Sequence, residues 1–246
     1  RYFARACTRC TPYGNFAGYT CVDFGEVSDV QIDNTYTFST YTRVDMDILC
    51  RIADTIEKDA NVRENLFYHI NTSLYPIADR LRYIEYDRQK GIRHYVFSEV
   101  ISNEYIDKIL CYLNKKQHSY SDIVSILRSA EITEIDAKCF VNELIDNQIL
   151  VSNLEVSIAG EELLQQLQDT LKESRYYPLL SELNKSVRIC DQAPLGNKIT
   201  HYENIRHLID NMIPHTSTAV FHSDCRIKTT QAKIGTDVQK AFIKGI

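Results

Sequence analysis

Arg5-Ala-Cys-Thr-Arg9-Cys-Thr11-Pro12-Tyr13-Gly14-Asn-Phe16-Ala17-Gly18 is the stretch from which the rest of this chain is read. With Arg1, it places three arginines and no acid in the first twenty residues of a protein whose formal net charge is −5. Thr11-Pro12-Tyr13-Gly14 has the chemistry of a turn, because Pro12 presets φ at the second position and Gly14 tolerates a positive φ. After the turn, residues 16–24 alternate as a strand does. Two spaced guanidiniums and a hydroxyl, ending on a rigid turn, suit a carboxylate or a phosphate. The same residues also describe a helix end with solvated arginines, since exposed charges need no partner. Spacing alone leaves both open.

Working outward, residues 35–41 form a second strand, joined to the first by an acidic, turn-rich segment at 25–34. Met46, Leu49, Cys50, Ala53 and Ile56 mark one apolar face of a helix over 45–58. Strands are expected at 66–71, 80–87 and 93–100, with Arg88-Gln-Lys-Gly91 closing the last two into a hairpin. Three helices follow at 103–114, 120–129 and 133–147. Thr133-x-x-Asp136 resembles a capping box for the third, with Asp a weaker partner than Glu. A short strand at 150–154, helices at 161–173, 178–188 and 199–211, a strand at 218–228 and a helix at 235–245 complete the chain. The class is α+β: a mixed sheet with helices, in which strands 16–24, 35–41 and 218–228 are expected to lie together. Three strands and three short helices between 74 and 150 describe an embedded winged-helix-like module. The corresponding domains are 1–66, 67–155 and 156–246.

Composition sets limits. At 246 residues, 44% hydrophobic and 25% charged, the chain can bury a core as one large domain or two small ones. No apolar run approaches the roughly 20 residues that span a bilayer, and Arg5 and Arg9 interrupt any signal-peptide core. Cys7-x-x-Cys10 invites a zinc or redox reading, but no second Cys or His pair stands at finger spacing. Cys50, Cys111 and Cys139 fall at apolar helix positions, where Cys acts as a small hydrophobe. The histidines are scattered, so neither a metal nor a disulfide framework is expected. A winged helix that reads DNA needs a basic third helix. Here that helix region carries Glu131, Glu134, Asp136, Glu143 and Asp146 against Lys138, which repels phosphate.

The opening run resembles the R…R-x-T-P-F-G-x-F-A-G signature of the N-terminal region of lantibiotic dehydratases, with Tyr13 where the family has Phe. Arg43-Val-Asp45, Asn71-Thr-Ser73-Leu74-Tyr75, Arg82-Tyr83-Ile-Glu85-Tyr86, Glu143-Leu-Ile-Asp146-x-Gln148-x-Leu150-Val151 and His222-Ser-Asp224 follow in the family's order. The resemblance therefore covers nearly the whole chain, although only the first motif is specific by itself. Such enzymes dehydrate Ser and Thr in ribosomally made bacteriocin precursors. The resemblance implies that this region transfers glutamate from glutamyl-tRNA to a peptide hydroxyl, and that a separate C-terminal domain eliminates the ester. No cofactor is implied beyond glutamyl-tRNA as co-substrate. Arg1 already stands inside the family pattern and family members run several times longer, so an excised fragment, inactive by itself, is expected.

Residue by residue, the resemblance assigns Arg5 and Arg9 to phosphate or the substrate glutamate, and Thr11 to orienting the ester. Asp45 and Asp224 become base or amine anchor, and Asp45 equally suits a helix N-cap. Arg1, Arg43, Arg226 and Lys228 are the candidate tRNA contacts; binding a polyanion needs a local basic patch, not a basic protein. In the related module a leader peptide adds as a strand to the sheet edge, which here points to Tyr95, Phe97, Phe140 and Leu144. Those four can equally fill the module's core. The implied partners are the precursor's leader, glutamyl-tRNA, the remaining domains of the same enzyme, and a homodimeric copy or a cyclase and transporter complex. The implied location is the cytoplasm, peripheral to the membrane through that complex. A non-catalytic leader-binding scaffold is the alternative. Convergence of Arg5, Arg9, Thr11, Asp45 and Asp224 on one cleft would separate the two.

Overall fold

The computed structural model describes residue 4 and residues 17–32, 38–89, 92–114, 116–129, 132–156, 161–194, 196–213 and 219–245. Arg1, Arg5, Arg9, Thr11 and the Cys7–Cys10 pair lie outside the described residues. In chain order the elements are β1 (Asp23–Phe24), β2 (Asp29–Ile32), β3 (Phe38–Val44), α1 (Met46–Glu57), α2 (Ala60–Arg63), β4 (Phe67–Ile70), β5 (Tyr75–Ile77), β6 (Arg80–Gln89) and β7 (Ile92–Ile101). Then come α3 (Glu104–Leu113), β8 (His118–Ser119), α4 (Tyr120–Leu127), α5 (Glu134–Asp146), β9 (Leu150–Ser152), α6 (Leu163–Thr170), α7 (Tyr177–Gln192), α8 (Ile199–Asp210), β10 (Phe221–Ile227), β11 (Thr229–Ile234) and α9 (Thr236–Lys244). The fold is mixed α+β with several small sheets. Among the described residues no helix is long and apolar enough to cross a membrane.

The chain divides into two compact units, one from Arg1–Leu49 with Pro178–Ile246 and the other from Cys50–Tyr177. Both breaks fall within helices, at α1 and at the start of α7. The sequence-based segment 67–155 lies wholly in the second unit, and the two flanking segments are each divided.

In the first unit β3 and β10 pair antiparallel over seven residues. The strand alternates because its β-branched and small residues fit a half-buried pleat: Thr40, Thr42 and Val44 are buried, while Ser39 and Arg43 are exposed. Beneath this buried face, Asp191 at the end of α7 accepts the Thr40 hydroxyl at 3.2 Å and the Thr42 amide at 3.0 Å. Lys198, which is buried, donates to Thr40 Oγ1 at 2.7 Å and to the Cys190 carbonyl. Every one of these buried polar groups has a partner, the condition under which burial is tolerated. Apolar residues at helical spacing on α7 (Leu180, Leu183, Val187) and α8 (Ile205, Ile209) supply the core.

The expected strand 16–24 is a correction. Only Tyr19 pairs with β10, as an isolated parallel bridge to Arg226, while β1 pairs with β11 in a separate sheet of order β1-β11-β2. Gly18 explains the close approach, since a Cβ there would stand 2.7 Å from Ile227 Cγ1 and 2.9 Å from the Cys225 carbonyl oxygen. The last glycine of the opening run is there because nothing larger fits.

The second unit holds two three-stranded sheets, β8-β4-β9 and β5-β6-β7, with α3, α4 and α5. Asn103, Ser119 and Thr133 cap those helices, each accepting a backbone N–H within the first turn. At α5 the capping is one-sided: Thr133 Oγ1 accepts from the Asp136 amide at 3.2 Å and donates to the Asp136 carboxylate at 2.6 Å. Asp136 is too short to reach back as Glu would. Tyr68 and Tyr120, fully buried with ring centroids 6.3 Å apart, anchor the core. Cys50 is buried as expected, but Cys111 and Cys139 are exposed, on the outer faces of their helices.

A candidate carboxylate–imidazole site and an open strand edge

The β3/β10 register sets Arg43 opposite His222, Tyr41 opposite Asp224 and Ser39 opposite Arg226. Residues directly opposite share a face, and side chains alternate along each strand. Arg43, His222, Asp224 and Arg226 therefore stand together on the face away from the buried threonines. Arg43 Nη2 lies 3.4 Å from Asp224 Oδ2, with Asp224 the more buried of the two.

Asp45 follows where β3 gives way to α1. Its backbone amide donates to the Val220 carbonyl at 3.0 Å, fixing the turn beside β10. Its Oδ1 accepts the Asp47 amide at 2.9 Å, so the helix-capping role is real. Its Oδ2 accepts from His222 Nε2 at 2.7 Å, a contact across 177 positions. Cap and site contact thus coexist on one carboxylate.

Tyr19 lies alongside, donating its amide to the Cys225 carbonyl at 2.9 Å and accepting the Ile227 amide at 2.8 Å. Burial pushes its phenol pKa up, against the pull of the nearby Arg226. Asp45, Asp224, Arg43 and Arg226 are thus brought together, and Lys228 is exposed just past the end of β10. Sequence reasoning missed His222 and Tyr19 as site residues. The available signal was the spacing: His222-x-Asp224 on a strand must share a face.

In the second unit β7 is an edge strand, paired among the described residues only with β6. Which of its amides point outward follows from β6. There the Ile84 amide donates to Ser73 Oγ at 2.9 Å, and its carbonyl accepts from Asn71 Nδ2 at 2.9 Å. The Tyr86 amide donates to Gln148 Oε1 at 3.0 Å, and its carbonyl accepts from Gln148 Nε2 at 2.7 Å. Ile84 and Tyr86 therefore spend their backbone groups away from β7, and their partners Phe97 and Tyr95 likewise turn theirs toward the open edge. The Phe97 and Tyr95 side chains are 79% and 66% exposed. Phe140 is half-buried on α5, edge-on to Tyr105 at 6.2 Å. Leu144 is 4% exposed and belongs to the core, which corrects its expected place on a free surface.

Beside the hairpin lies a cavity of about 360 Å³ whose walls include Asp54, Glu57, Tyr86, Arg93, Tyr95 and Ile145. Asp54 accepts from Tyr86 Oη at 3.1 Å, Arg88 Nε at 2.7 Å and Arg93 Nη2 at 3.0 Å. The Arg93 guanidinium also stands 4.0 Å over the Tyr86 ring. Burial raises the Glu57 carboxyl above its ordinary range, with a hydrogen bond to Ser152 opposing it.

A mixed α+β chain with this carboxylate–imidazole face and this open strand edge is matched by known proteins along its whole length. The family described as lantibiotic dehydratase, N terminus, matches residues 1–242, and the chain belongs to that family. The epidermin biosynthesis protein EpiB of Staphylococcus epidermidis is 24% identical over 218 residues, covering 86% of this chain and 22% of EpiB. The subtilin biosynthesis protein SpaB of Bacillus subtilis is 26% identical over 231 residues, covering 88% of this chain and 21% of SpaB. The chain thus spans about a fifth of the length of these relatives. Among solved structures, the tRNA-dependent lantibiotic dehydratase MibB of Microbispora sp. 107891 superposes with a TM-score of 0.75 at 17% identity, covering all of this chain and 24% of MibB. The glutamylation domain TbtB from thiomuracin biosynthesis gives 0.67 at 13% identity, covering 97% of this chain and 29% of TbtB. At these identities the two structures establish the fold.

Proposed function

We propose that this chain is part of an enzyme that dehydrates Ser and Thr of a precursor peptide through tRNA-dependent glutamylation, and that the β3/β10 face belongs to its acyl-transfer site. Hydroxide is a poor leaving group, and acylating the hydroxyl converts it into a carboxylate that departs readily. The first step requires cations for the tRNA end, donors for the developing oxyanion and a base for the attacking hydroxyl. The observation that carries the reading is the meeting of Asp45 and Asp224 on one strand pair, with Arg43 and Arg226 beside them. Arg5, Arg9 and Thr11 complete the site in this reading, and Arg1 and Lys228 extend its basic rim.

The second unit is read as the leader-binding module. Support comes from the outward amides of β7 and the exposed Tyr95 and Phe97. The sole lysine of α5, Lys138, is paired with Glu64 at 3.0 Å, which leaves that helix acidic and unsuited to nucleic acid. A scaffold that binds leader without chemistry is the second reading, favoured by the same open edge.

The test uses the full-length protein with its precursor peptide and glutamyl-tRNA. Arg9→Ala abolishes glutamylated and dehydrated peptide while leader affinity stays within about twofold, and Arg9→Lys rescues poorly because it lacks the planar fork. Unchanged products exclude Arg9 from the transfer. A wild-type protein that binds leader and never acylates it leaves the scaffold reading.

A further inference from the structure

Three groups on the β3/β10 face can accept a proton, and their geometry separates them. Both Asp45 oxygens are committed, Oδ1 to the Asp47 amide and Oδ2 to His222. Asp224 faces the Arg43 guanidinium and is largely buried. His222 is different. Its side chain is about half exposed, and Nε2 is held at 2.7 Å by a carboxylate that is itself fixed by a helix amide. A carboxylate only accepts, so Nε2 carries a proton, and in the neutral ring Nδ1 is then the nitrogen with the free lone pair. Among the described residues Nδ1 has no partner. A carboxylate that orients an imidazole and stabilises its charged form is how a histidine is made into an effective base.

We propose that His222 is the general base of the acyl transfer, with Asp45 as its positioning residue; the assignment rests on the acyl-transfer reading of this site. The Ser or Thr oxygen attacks the glutamyl ester carbon as its proton passes to His222 Nδ1. The new peptide C–O bond forms and the bond between the acyl carbon and the tRNA ribose oxygen breaks. The departing ribose oxygen then takes the proton from Nδ1, so the imidazole ends neutral and no oxidant or further reactant is consumed. The charged groups sharing the face of His222 are Asp45 from the start of α1, Arg43 from β3, and Asp224 and Arg226 from its own strand. Asp45 offsets the positive charge that forms on the ring.

The experiment is single-turnover transfer by the full-length enzyme from glutamyl-tRNA to its precursor peptide, reading glutamylated plus dehydrated product. His222→Gln keeps an amide donor for Asp45 Oδ2 and removes the basic nitrogen. It is expected to lower the transfer rate about 10²–10⁴-fold with leader affinity and melting temperature unchanged, and to erase the acid limb of the rate–pH profile. Asp45→Asn, which still caps α1, is expected to lower the rate while leaving the KM for peptide within about twofold. His222→Ala should regain rate when imidazole is added, which a shape-keeping histidine would not. A His222→Gln enzyme within twofold of wild type, with the same pH profile, overturns the assignment and leaves the acyl-transfer reading standing. A wild-type enzyme that forms no glutamylated peptide overturns both.

Discussion

At Asp45 one carboxylate serves a helix and a histidine at once. The cap is local and readable from the sequence, while the histidine contact exists only once the other strand is in place. The motif Arg43-Val-Asp45 and the motif His222-Ser-Asp224 each place two polar residues on one face by simple alternation. That much is legible in the sequence. What alternation lacks is the register between strands separated by 177 positions, which the Arg43↔His222 pairing supplies. Without that register His222 reads as a motif member and not as a site residue. Glu57 offers a prediction at the same scale. Its folded pKa lies above the ordinary 4.5 because burial disfavours the charged form. The folded state therefore binds that proton more tightly than the unfolded chain does. Stability falls as pH rises from about 4.5 through the folded pKa, and the cost persists at neutral pH. Glu57→Gln is expected to raise the melting temperature at pH 7, by roughly 2–4 °C for each kcal/mol recovered, and to change it little at pH 4. Equal shifts at both pH values in thermal unfolding would contradict this.

Among the elements, helices at 103–114, 120–129 and 133–147 were legible to within a few residues, because apolar spacing and cap residues both mark them. Strands β2, β5, β8 and β11 were not. Each is short, and each exists through its partner more than through its own composition. Gln148 makes the same point differently: one side-chain amide occupies the strand position beside Tyr86, both donating and accepting, where periodicity sees only a polar residue after a helix. The edge of β7 carries the element-scale prediction. The Phe97 amide points away from β6, so Phe97→Pro removes a donor from the open edge and none from the hairpin ladder. Leader binding by fluorescence anisotropy should weaken at least tenfold while circular dichroism stays native. Phe97→Ala, which keeps the amide, should lose less. Equal losses in the two variants would assign the affinity to the ring and not to strand addition.

For the molecule as a whole, the division into a unit from both chain ends and a unit from the middle was not legible. Composition does not change at 49 or 177, and both breaks lie inside helices with continuous apolar faces. The division has a testable expression in the order of folding. The second unit is one unbroken segment, whereas among the described residues the strand partner of β3 is β10. In nascent chains held on the ribosome with residue 200 just clear of the exit tunnel, limited proteolysis should spare 50–177 and cut within 1–49. Chains released through residue 246 should protect both. Protection of 1–49 at the earlier point would mean that β3 folds without its partner.

The strand pairing that builds the carboxylate–imidazole face therefore also sets a clock. At roughly 5–20 residues per second of synthesis, the 177 positions between Asp45 and His222 amount to a delay on the order of 10–40 s. During that interval the second unit can already be complete while the histidine and its carboxylate have never met. If the proposed roles hold, a truncated or stalled product holds a peptide and cannot acylate it, and incomplete synthesis yields a passive binder, not a misfiring transferase.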